Sequence, residues 1–269
     1  MAKIVIDAGH GRYTAGKRCL KKLDPNETRE WVLNDRVADE LGRLLKLAGH
    51  EIMRVDDPDG TKDVALGTRV NKANKWGADL YASIHQNAGV GGGTGGGTEV
   101  YVYDKASAKS KEVQNAVYKH AIKRGNLKGN RADGTRSANF YVVRYTKMPA
   151  FLIECGFMDS KTDIKYLLDP AWSKKIARGI AEGICEVYGG KISAVTTVKK
   201  DPDSFKVKVI CNSLNIRDGA GADNKKVGAI TNKGKYTIVK TKKVNGVLWG
   251  KLKSGAGWIS LHSDYVKRV

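Results

Sequence analysis

Apolar and polar residues follow two different periodicities over the first two thirds of the chain. Short apolar or alternating runs bounded by turn residues are typical of strands, and we predict strands at residues 3–7, 50–55, 79–84, 98–103, 140–144 and 150–154. Between these runs apolar residues recur at helical spacing, which predicts helices at about residues 28–49, 63–76, 106–125 and 171–188. Strands that alternate with helices indicate an α/β domain with a mixed, mainly parallel sheet flanked by helices. The N-cap of the first helix is predicted to be Thr28 or Asn26.

The pattern changes after residue 190. Residues 191–204 are polar, contain Pro202 and are predicted to form a linker. From Phe205 onward, short β-rich runs alternate with turns of glycine and asparagine, and this segment shows no helical periodicity. We therefore expect a larger α/β domain at residues 1–190 and a small all-β barrel at residues 205–269.

Charge is the bulk property that adds most to this picture. The 269-residue chain has the hydrophobic content of a globular protein, 41%, but a formal net charge of +20. Residues 191–269 hold 17 Lys and Arg against 5 Asp and Glu, a net of +12, while residues 1–190 carry +8. A protein this basic is attracted to polyanions, so the candidate partners are nucleic acid, an anionic cell wall and a membrane surface.

Neither the cysteines nor the N-terminus indicate an exported or membrane protein. The cysteines lack a metal-ligand spacing such as CxxC, and we expect reduced, mostly buried thiols at Cys19, Cys155, Cys185 and Cys211. The N-terminus has the pattern of a strand, not of a signal peptide, and no apolar run approaches the roughly 20 residues of a membrane helix. We expect a protein made in the cytoplasm without a signal peptide and without membrane insertion, which meets an external substrate only after release.

Three ionisable residues are predicted at strand ends. His10 and His85 each follow directly on a predicted strand, and Glu154 closes another. Because ligand sites form at the carboxyl ends of strands in open α/β sheets, we expect these side chains to share one rim. Two imidazoles and one carboxylate are the usual protein ligands of a hydrolytic zinc ion, which keeps a fourth position for water. The carboxylate ligand is Glu30 or, alternatively, Glu27; the helix dipole by itself also favours an acidic residue at a helix start.

Four segments that contain these residues carry a family resemblance. In chain order they are Asp7-Ala8-Gly9-His10-Gly11, Glu30 with Asn34, Ser83-Ile84-His85-Gln86-Asn87-Ala88 and Phe151-Leu152-Ile153-Glu154-Cys155-Gly156-Phe157, with Arg69, Ala73-Asn74 and Ala78-Asp79 before the third. Over about residues 3–188 they resemble the successive motifs of the zinc-dependent N-acetylmuramoyl-L-alanine amidases, and several spaced motifs in order are far more specific than one. The segment 11–29 departs from that pattern in being longer and more basic, and Gln86 and Cys155 replace residues more often seen there.

The resemblance implies a metal site and a reaction. It implies that His10, Glu30 and His85 bind one zinc ion and that Glu154 is the catalytic carboxylate. The implied reaction is hydrolysis of the amide bond between N-acetylmuramic acid and L-alanine in bacterial peptidoglycan, which lyses the cell wall. A phage endolysin and a bacterial autolysin both act in this way, and the missing signal peptide favours an endolysin.

The C-terminal segment carries a second resemblance. Residues 205–269 resemble a bacterial Src-homology-3-like domain in the segments Ser213–Gly219, Val227-Gly228, Trp249–Leu252, Gly257–Ile259 and Asp264–Val266. The resemblance implies binding to peptidoglycan and anionic wall polymers. Trp249 and Trp258 are expected either to line a ligand groove or to form part of the core of the small barrel.

Two alternative functions are consistent with parts of these patterns. Another zinc-dependent wall hydrolase, a peptidase or a deacetylase, would use the same ligands and cut a different bond. A basic nucleic-acid-binding protein would interleave basic and aromatic residues on one face. Residues 1–190 instead show an ordered metal-ligand pattern and contain 23 acidic residues, so we expect no nucleic-acid partner.

The remaining candidate residues are expected to have no part in the chemistry. His50, His120 and His262 are predicted to be structural or solvated. The glycine-rich segment Gly89–Gly97 lacks the strand and helix context of a phosphate-binding loop. We predict that it forms a flexible rim beside His85.

Overall fold

The computed structural model describes residues 1–130, 133–192, 204–244 and 246–269. The chain separates into two compact units, Met1–Ser193 and Ala194–Val269. Most of the predicted linker, residues 193–203, lies outside the described residues. Among the helices that the structure describes, none combines the length and the apolar character needed to cross a membrane.

The first unit is built on a six-stranded sheet. Its strands are β1 (Lys3–Ala8), β2 (Glu51–Arg54), β3 (Leu80–Asn87), β4 (Glu99–Val102), β5 (Thr135–Ser137) and β6 (Ala150–Phe157). They lie in the order β2-β1-β3-β6-β4-β5, and only the β4–β6 pairing is antiparallel. The predicted mixed, mainly parallel sheet is therefore confirmed.

Helices cover both faces of this sheet, each with its own core. They are α1 (Glu30–Leu47), α2 (Leu66–Trp76), α3 (Ala108–Gly125), α4 (Tyr141–Tyr145), α5 (Ile164–Leu167) and α6 (Pro170–Tyr188). Because side chains alternate between the faces of a strand, Ile6, Ile84 and Ile153 form the larger core with α1, α3 and α6. The smaller core on the opposite face joins the sheet to α2 and α4.

Two local predictions in this unit are wrong. Residues 140–144 were expected to form a strand, but Tyr141–Tyr145 is a short helix in which neighbouring Val142 and Val143 are both buried against the same core. A strand would point these side chains to opposite faces. The N-cap of α1 is Arg29, which makes no side-chain capping hydrogen bond. Thr28 and its neighbours are instead held by Asp24, whose carboxylate accepts the Thr28 N–H at 2.7 Å.

The second unit is entirely β structure in the part that the structure describes. Its strands are β7 (Phe205–Val209), β8 (Leu214–Arg217), β9 (Lys226–Ile230), β10 (Lys235–Val244), β11 (Val247–Leu252), β12 (Trp258–Ser260) and β13 (Val266–Arg268). They form one antiparallel sheet in the order β13-β7-β10-β11-β12-β8-β9. The sheet packs on its own aliphatic cluster of Val207, Val209, Leu214, Ile230, Ile238, Leu252, Ile259 and Val266. The prediction of an all-β second domain is confirmed.

Candidate metal centre and active site

The end of β1 brings His10 against His85. His10 lies two residues beyond β1 with a positive φ of 66°, a conformation that few residue types other than glycine adopt. Gly9 precedes it because a Cβ at that position would overlap the His85 ring. The two imidazoles meet edge to face with ring centroids 5.0 Å apart. The close approach of backbone and ring explains why glycine stands before the histidine.

Glu30 completes a group of three potential ligands. It is the first residue of α1, is 1% exposed, and places Oε1 3.1 Å from His85 Nδ1 and Oε2 3.4 Å from His10 Nε2. One ligand atom from each of the three residues lies within 4.8 Å of the others. The alternative carboxylate, Glu27, lies outside this group and is 3.3 Å from Arg18 Nε. The structure therefore brings Glu30, and not Glu27, to the two histidines.

Neighbouring amides fix the Glu30 carboxylate. The backbone N–H of Gln86 donates to Oε1 at 3.2 Å. The Asn34 amide, one helical turn along α1, donates to the Gly9 carbonyl at 3.1 Å and to Glu30 Oε1 at 3.4 Å. Glu30 Oε2 is buried and makes no hydrogen bond to the described residues, although the Lys17 ammonium lies 3.8 Å from it. A buried carboxylate oxygen without a donor is costly, and a cation held between Glu30 and the histidines would satisfy it.

The protonation states of Glu30 and His10 suit a metal site, whereas His85 would have to lose a proton to bind a metal. Burial opposes ionisation of Glu30, but its hydrogen bond and charge interaction with His85 outweigh this and lower its pKa. Burial lowers the pKa of His10 to about 4, so its imidazole is neutral near pH 7. Burial also disfavours the charged form of His85, but contact with Glu30 raises its pKa in the absence of metal. Neutral imidazole and ionised carboxylate are the forms that bind zinc.

Glu154 lies on β6 directly beside His85 on β3. The two residues pair in register, and both strands run on past them, to Asn87 and Phe157. The expectation that His85 follows its strand and that Glu154 closes its strand is therefore wrong, but both do lie near the carboxyl ends. Glu154 Oε2 is buried without a hydrogen-bond partner among the described residues. Burial raises the Glu154 pKa to about 7, the range suited to proton transfer at neutral pH.

A buried ion pair beneath the site orients the chain around His10. Arg69, 1% exposed, donates to Asp7 Oδ1 at 2.6 Å and to the carbonyl oxygens of Ala8 and His10 at 2.8 and 3.1 Å. The hydroxyls of Tyr81 and Ser83 each donate to Asp7 Oδ2 at 2.9 Å. Sequence reasoning placed Arg69 in a motif without giving it a task. Its task is to fix the backbone that carries His10.

A cleft of about 360 Å³ opens on this side of the sheet. It is lined by Asp7, Gly9, His10, Asp63, Val64, Ala65, Leu66, Arg69 and His85. The exposed side chain of Leu66, at the start of α2, borders it. Both histidines are therefore open to a molecule that enters the cleft.

The glycine-rich segment is held by carboxylates. Asp159 Oδ2 accepts the N–H groups of Gly89, Val90 and Gly91 at 2.7 to 2.9 Å. The carboxylate of Asp163 accepts the N–H of Gly97 at 2.7 Å. Sequence reasoning missed both aspartates, because nothing local links them to a loop some 70 residues earlier. The flexibility of the loop stays a prediction.

Comparison with known proteins identifies the family. The model of the N-acetylmuramoyl-L-alanine amidase family matches residues 4–186, which include the histidines, Glu30 and Glu154. The chain belongs to the N-acetylmuramoyl-L-alanine amidase family. The amidase thus hydrolyses peptidoglycan, as the resemblance of its motifs implied.

Relatives of the amidase include bacterial enzymes and a phage protein. It is 33% identical over 214 residues to the N-acetylmuramoyl-L-alanine amidase CwlM of Bacillus licheniformis, covering 80% of the amidase and 79% of CwlM. It is also 33% identical over 282 residues to the endolysin of Bacillus phage SPP1, covering 99% of the amidase and 98% of the endolysin. The likeness to the phage protein thus spans both units.

Solved structures of this family share the fold of the first unit. The catalytic domain of CwlV, the amidase of Bacillus (Paenibacillus) polymyxa var. colistinus, superimposes with a TM-score of 0.62 at 30% identity, covering 71% of the present amidase and all of that chain. An N-acetylmuramoyl-L-alanine amidase from Clostridium difficile 630 gives a TM-score of 0.63 at 29% identity. The match covers 71% of the present amidase and 98% of that chain.

Proposed function

We propose that the amidase uses one zinc ion, held by His10, Glu30 and His85, to cut the bond between N-acetylmuramic acid and L-alanine, with Glu154 as the proton-transfer group. The observation that carries this proposal is the approach of the three ligand atoms to within 4.8 Å of one another. Glu30 Oε2 is buried and accepts no hydrogen bond from the described residues, which supports the presence of a cation at this position. Two imidazoles with one carboxylate form the donor set of hydrolytic zinc sites.

Five residues of the chain hold the metal or orient its ligands. When bound, zinc lowers the pKa of a water molecule and polarises the substrate carbonyl. His10, His85 and Glu30 hold the metal, and Asn34 and the Gln86 N–H orient the Glu30 carboxylate.

Glu154 moves the protons. Beside His85, it accepts a proton from the attacking water, and it then donates that proton to the departing nitrogen of L-alanine. In the metal-free protein burial raises its pKa to about 7, so its surroundings favour the protonated form that donates to the departing nitrogen. Its pairing in register with His85, one of the proposed ligands, supports this role.

Digestion of purified peptidoglycan tests the bond and the metal together. We expect release of stem peptides with a new L-alanine amino terminus and no new reducing ends. A chelator should abolish the activity, and added zinc should restore it. New amino groups at other residues would indicate a peptidase, and release of acetate a deacetylase. Full activity in the chelated protein would exclude a zinc mechanism.

We propose further that the second unit is a Src-homology-3-like domain that binds peptidoglycan and anionic wall polymers. Three features support this: the antiparallel sheet, the sequence segments that resemble such a domain, and the net charge of +12 over residues 191–269. A cleft of about 390 Å³ is lined by Ser213, Leu214, Asn215, Arg217, Ala222, Val247, Trp249, Ser260, His262, Asp264 and Tyr265. Trp249, 7% exposed, forms part of its wall, whereas Trp258 is not one of its lining residues.

Wall binding by the second unit has two separable components. At about 0.15 M salt the screening length is about 8 Å, so added salt weakens attraction of the basic surface to anionic polymers. Contacts within the cleft are less sensitive to salt. We expect residues 204–269 to sediment with purified walls, with an affinity that falls but does not vanish as salt rises. Absence of binding at low salt would contradict the proposal.

We also propose that the amidase acts as an endolysin that reaches the wall after release through a membrane pore. Its likeness to the SPP1 endolysin over 99% of the chain supports this. Expression of the amidase alone should leave bacteria intact, and co-expression with a pore-forming phage protein should lyse them. Lysis without the pore would indicate another route to the wall.

A further inference from the structure

A row of ionisable side chains extends across the sheet beyond Glu154. Glu154 on β6 pairs with Glu99 on β4, and Tyr101, two residues along β4, pairs with Arg136 on the edge strand β5. Paired residues on neighbouring strands point to the same face, as do residues two apart on one strand. Arg136 therefore lies on the face of the sheet that carries His85 and Glu154.

Buried partners support Arg136 from behind. Its Nε lies 3.4 Å from Glu99 Oε1, and Glu99 is 1% exposed. The amide of Asn87 and the hydroxyl of Tyr101 donate to Glu99 Oε2 at 3.0 and 2.9 Å. The Gln114 amide donates to the backbone carbonyl of Arg136 at 2.6 Å. A hydrogen bond thus holds the Arg136 backbone, and an ion pair with a buried carboxylate, without a hydrogen bond, lies at the base of its side chain.

The outer end of Arg136 has no partner among the residues that the structure describes. Its side chain is 39% exposed, and the terminal nitrogens make no hydrogen bond or ion pair to the residues that the structure describes. Arg124 on α3 is similarly exposed, 41%, but forms two hydrogen bonds to Glu182, at 2.6 and 2.7 Å. A guanidinium paired at its base and open at its end is suited to bind a planar anion through two parallel hydrogen bonds.

The distance from Glu154 fits a short peptide. Two strand spacings, about 10 Å, and two residues along the strand separate the Arg136 backbone from that of Glu154. The arginine side chain spans part of this gap because its Nε lies beside Glu99. An extended peptide advances about 3.3–3.6 Å per residue, so the second residue beyond the cleaved bond comes within reach of Arg136.

We propose that Arg136 binds a free carboxylate on the second residue of the stem peptide and so positions the L-alanine amide at Glu154. This inference rests on the proposed function, since it takes the stem peptide as the substrate of the same site. Arg136 is then a substrate-binding residue. A wall whose stem peptides carry an amide at that position would be a poorer substrate, because an amide lacks the charge and the second acceptor oxygen.

Kinetic measurements on two soluble muramyl peptides test the proposal. One peptide has a free carboxylate at the second stem residue, and the other has the corresponding amide. The full-length amidase should favour the carboxylate. R136Q should raise KM for the carboxylate about 10-fold, the usual effect of losing a charge-assisted hydrogen bond, and leave kcat and the amide substrate little changed. R136K should recover part of the preference for the carboxylate substrate, since lysine keeps the positive charge but cannot donate two parallel hydrogen bonds as a guanidinium does. R124Q, which removes an arginine of equal exposure on α3, should behave as wild type.

The outcomes separate the inference from the function on which it rests. Equal loss on both substrates, a fall in kcat alone, or an unchanged preference in R136Q would overturn the role of Arg136 while leaving the amidase mechanism in place. If wild-type protein released no L-alanine peptide from either substrate, the proposed function would be wrong, and the inference with it. Circular dichroism of R136Q establishes that the variant is folded before kinetics are compared.

Discussion

The two units of this amidase treat charge in opposite ways. The first unit buries charged side chains, among them Asp7, Glu30, Arg69 and Glu99, each about 1% exposed. In the described part of the second unit, the only buried polar side chain is that of Ser260. The second unit nevertheless belongs to the more basic end of the chain, +12 over residues 191–269.

This difference indicates two uses of electrostatics. A buried charge is costly unless it is paired or binds a metal, so a fold keeps one only where it is specifically held, as Asp7 and Arg69 hold each other. Surface charge costs little and acts over about a Debye length. Buried charge in the first unit surrounds the candidate active site, and on the proposal above surface charge in the second unit attracts an extended anionic polymer. Four experiments test this contrast.

The largest effect is expected from His85→Ala. Removing one of the three proposed ligands should strip most of the bound zinc and reduce activity to that of the chelated protein, because a two-ligand site binds zinc weakly. His262→Ala removes a histidine from the second unit and should leave the zinc content unchanged. Elemental analysis of the purified variants measures both. Full zinc content in His85→Ala would show that the metal lies elsewhere.

Glu154→Gln should come next. The amide keeps the shape but cannot accept a proton, so turnover should fall by roughly 10²–10⁴-fold with zinc still bound. Activity on soluble muramyl peptides and metal content are measured on the same sample. Near-normal turnover would mean that another group transfers the proton. Loss of zinc would instead make Glu154 part of the metal site.

Removal of residues 193–269 should have an effect that depends on the substrate. We expect activity on intact walls to fall by about 10-fold or more, because the tether that raises local concentration is gone. Activity on soluble muramyl peptides should change little. Both are compared with the full-length protein over a salt series. An equal loss on both substrates would mean that the second unit supports folding or catalysis of the first.

The smallest effect concerns the metal-free protein and pH. Burial raises the pKa of Glu154 to about 7 from its ordinary 4.5. The folded state therefore retains a proton that the unfolded state loses, so this stabilisation is complete below pH 4.5 and is lost as pH rises through 7. The unfolding free energy of wild type relative to Glu154→Gln should fall by about 1–3 kcal/mol between pH 4.5 and 8.

Denaturant unfolding followed by the helical circular dichroism signal measures this difference, because all the described helices belong to the first unit. The chelator is kept present throughout, since a bound cation would lower the Glu154 pKa. A difference between the two proteins that does not change with pH would show that the carboxyl is not protonated in the folded state.

Local sequence pattern was a good guide to elements and to the strand-borne residues of the site. The periodicities located all the long helices and five of the six strands of the first unit, because each depends on the alternation of buried and exposed positions along a short segment. They failed at residues 140–144, where valines and aromatics favour a strand. There the position of α4 against α2 and the second face of the sheet determines the conformation.

The sequence pattern was enough to predict the α/β class, the all-β character of the second unit, the amidase motifs and the candidates His10, His85 and Glu154. The tertiary structure decided that Glu30, and not Glu27, meets the histidines, that Arg69 clamps the chain at His10, and that Glu99 supports Arg136. The reason is physical: periodicity is a property of neighbours along the chain, whereas these contacts join residues up to 62 positions apart. Which of them meet is set by the strand order and by the packing of α1 and α2 on the sheet.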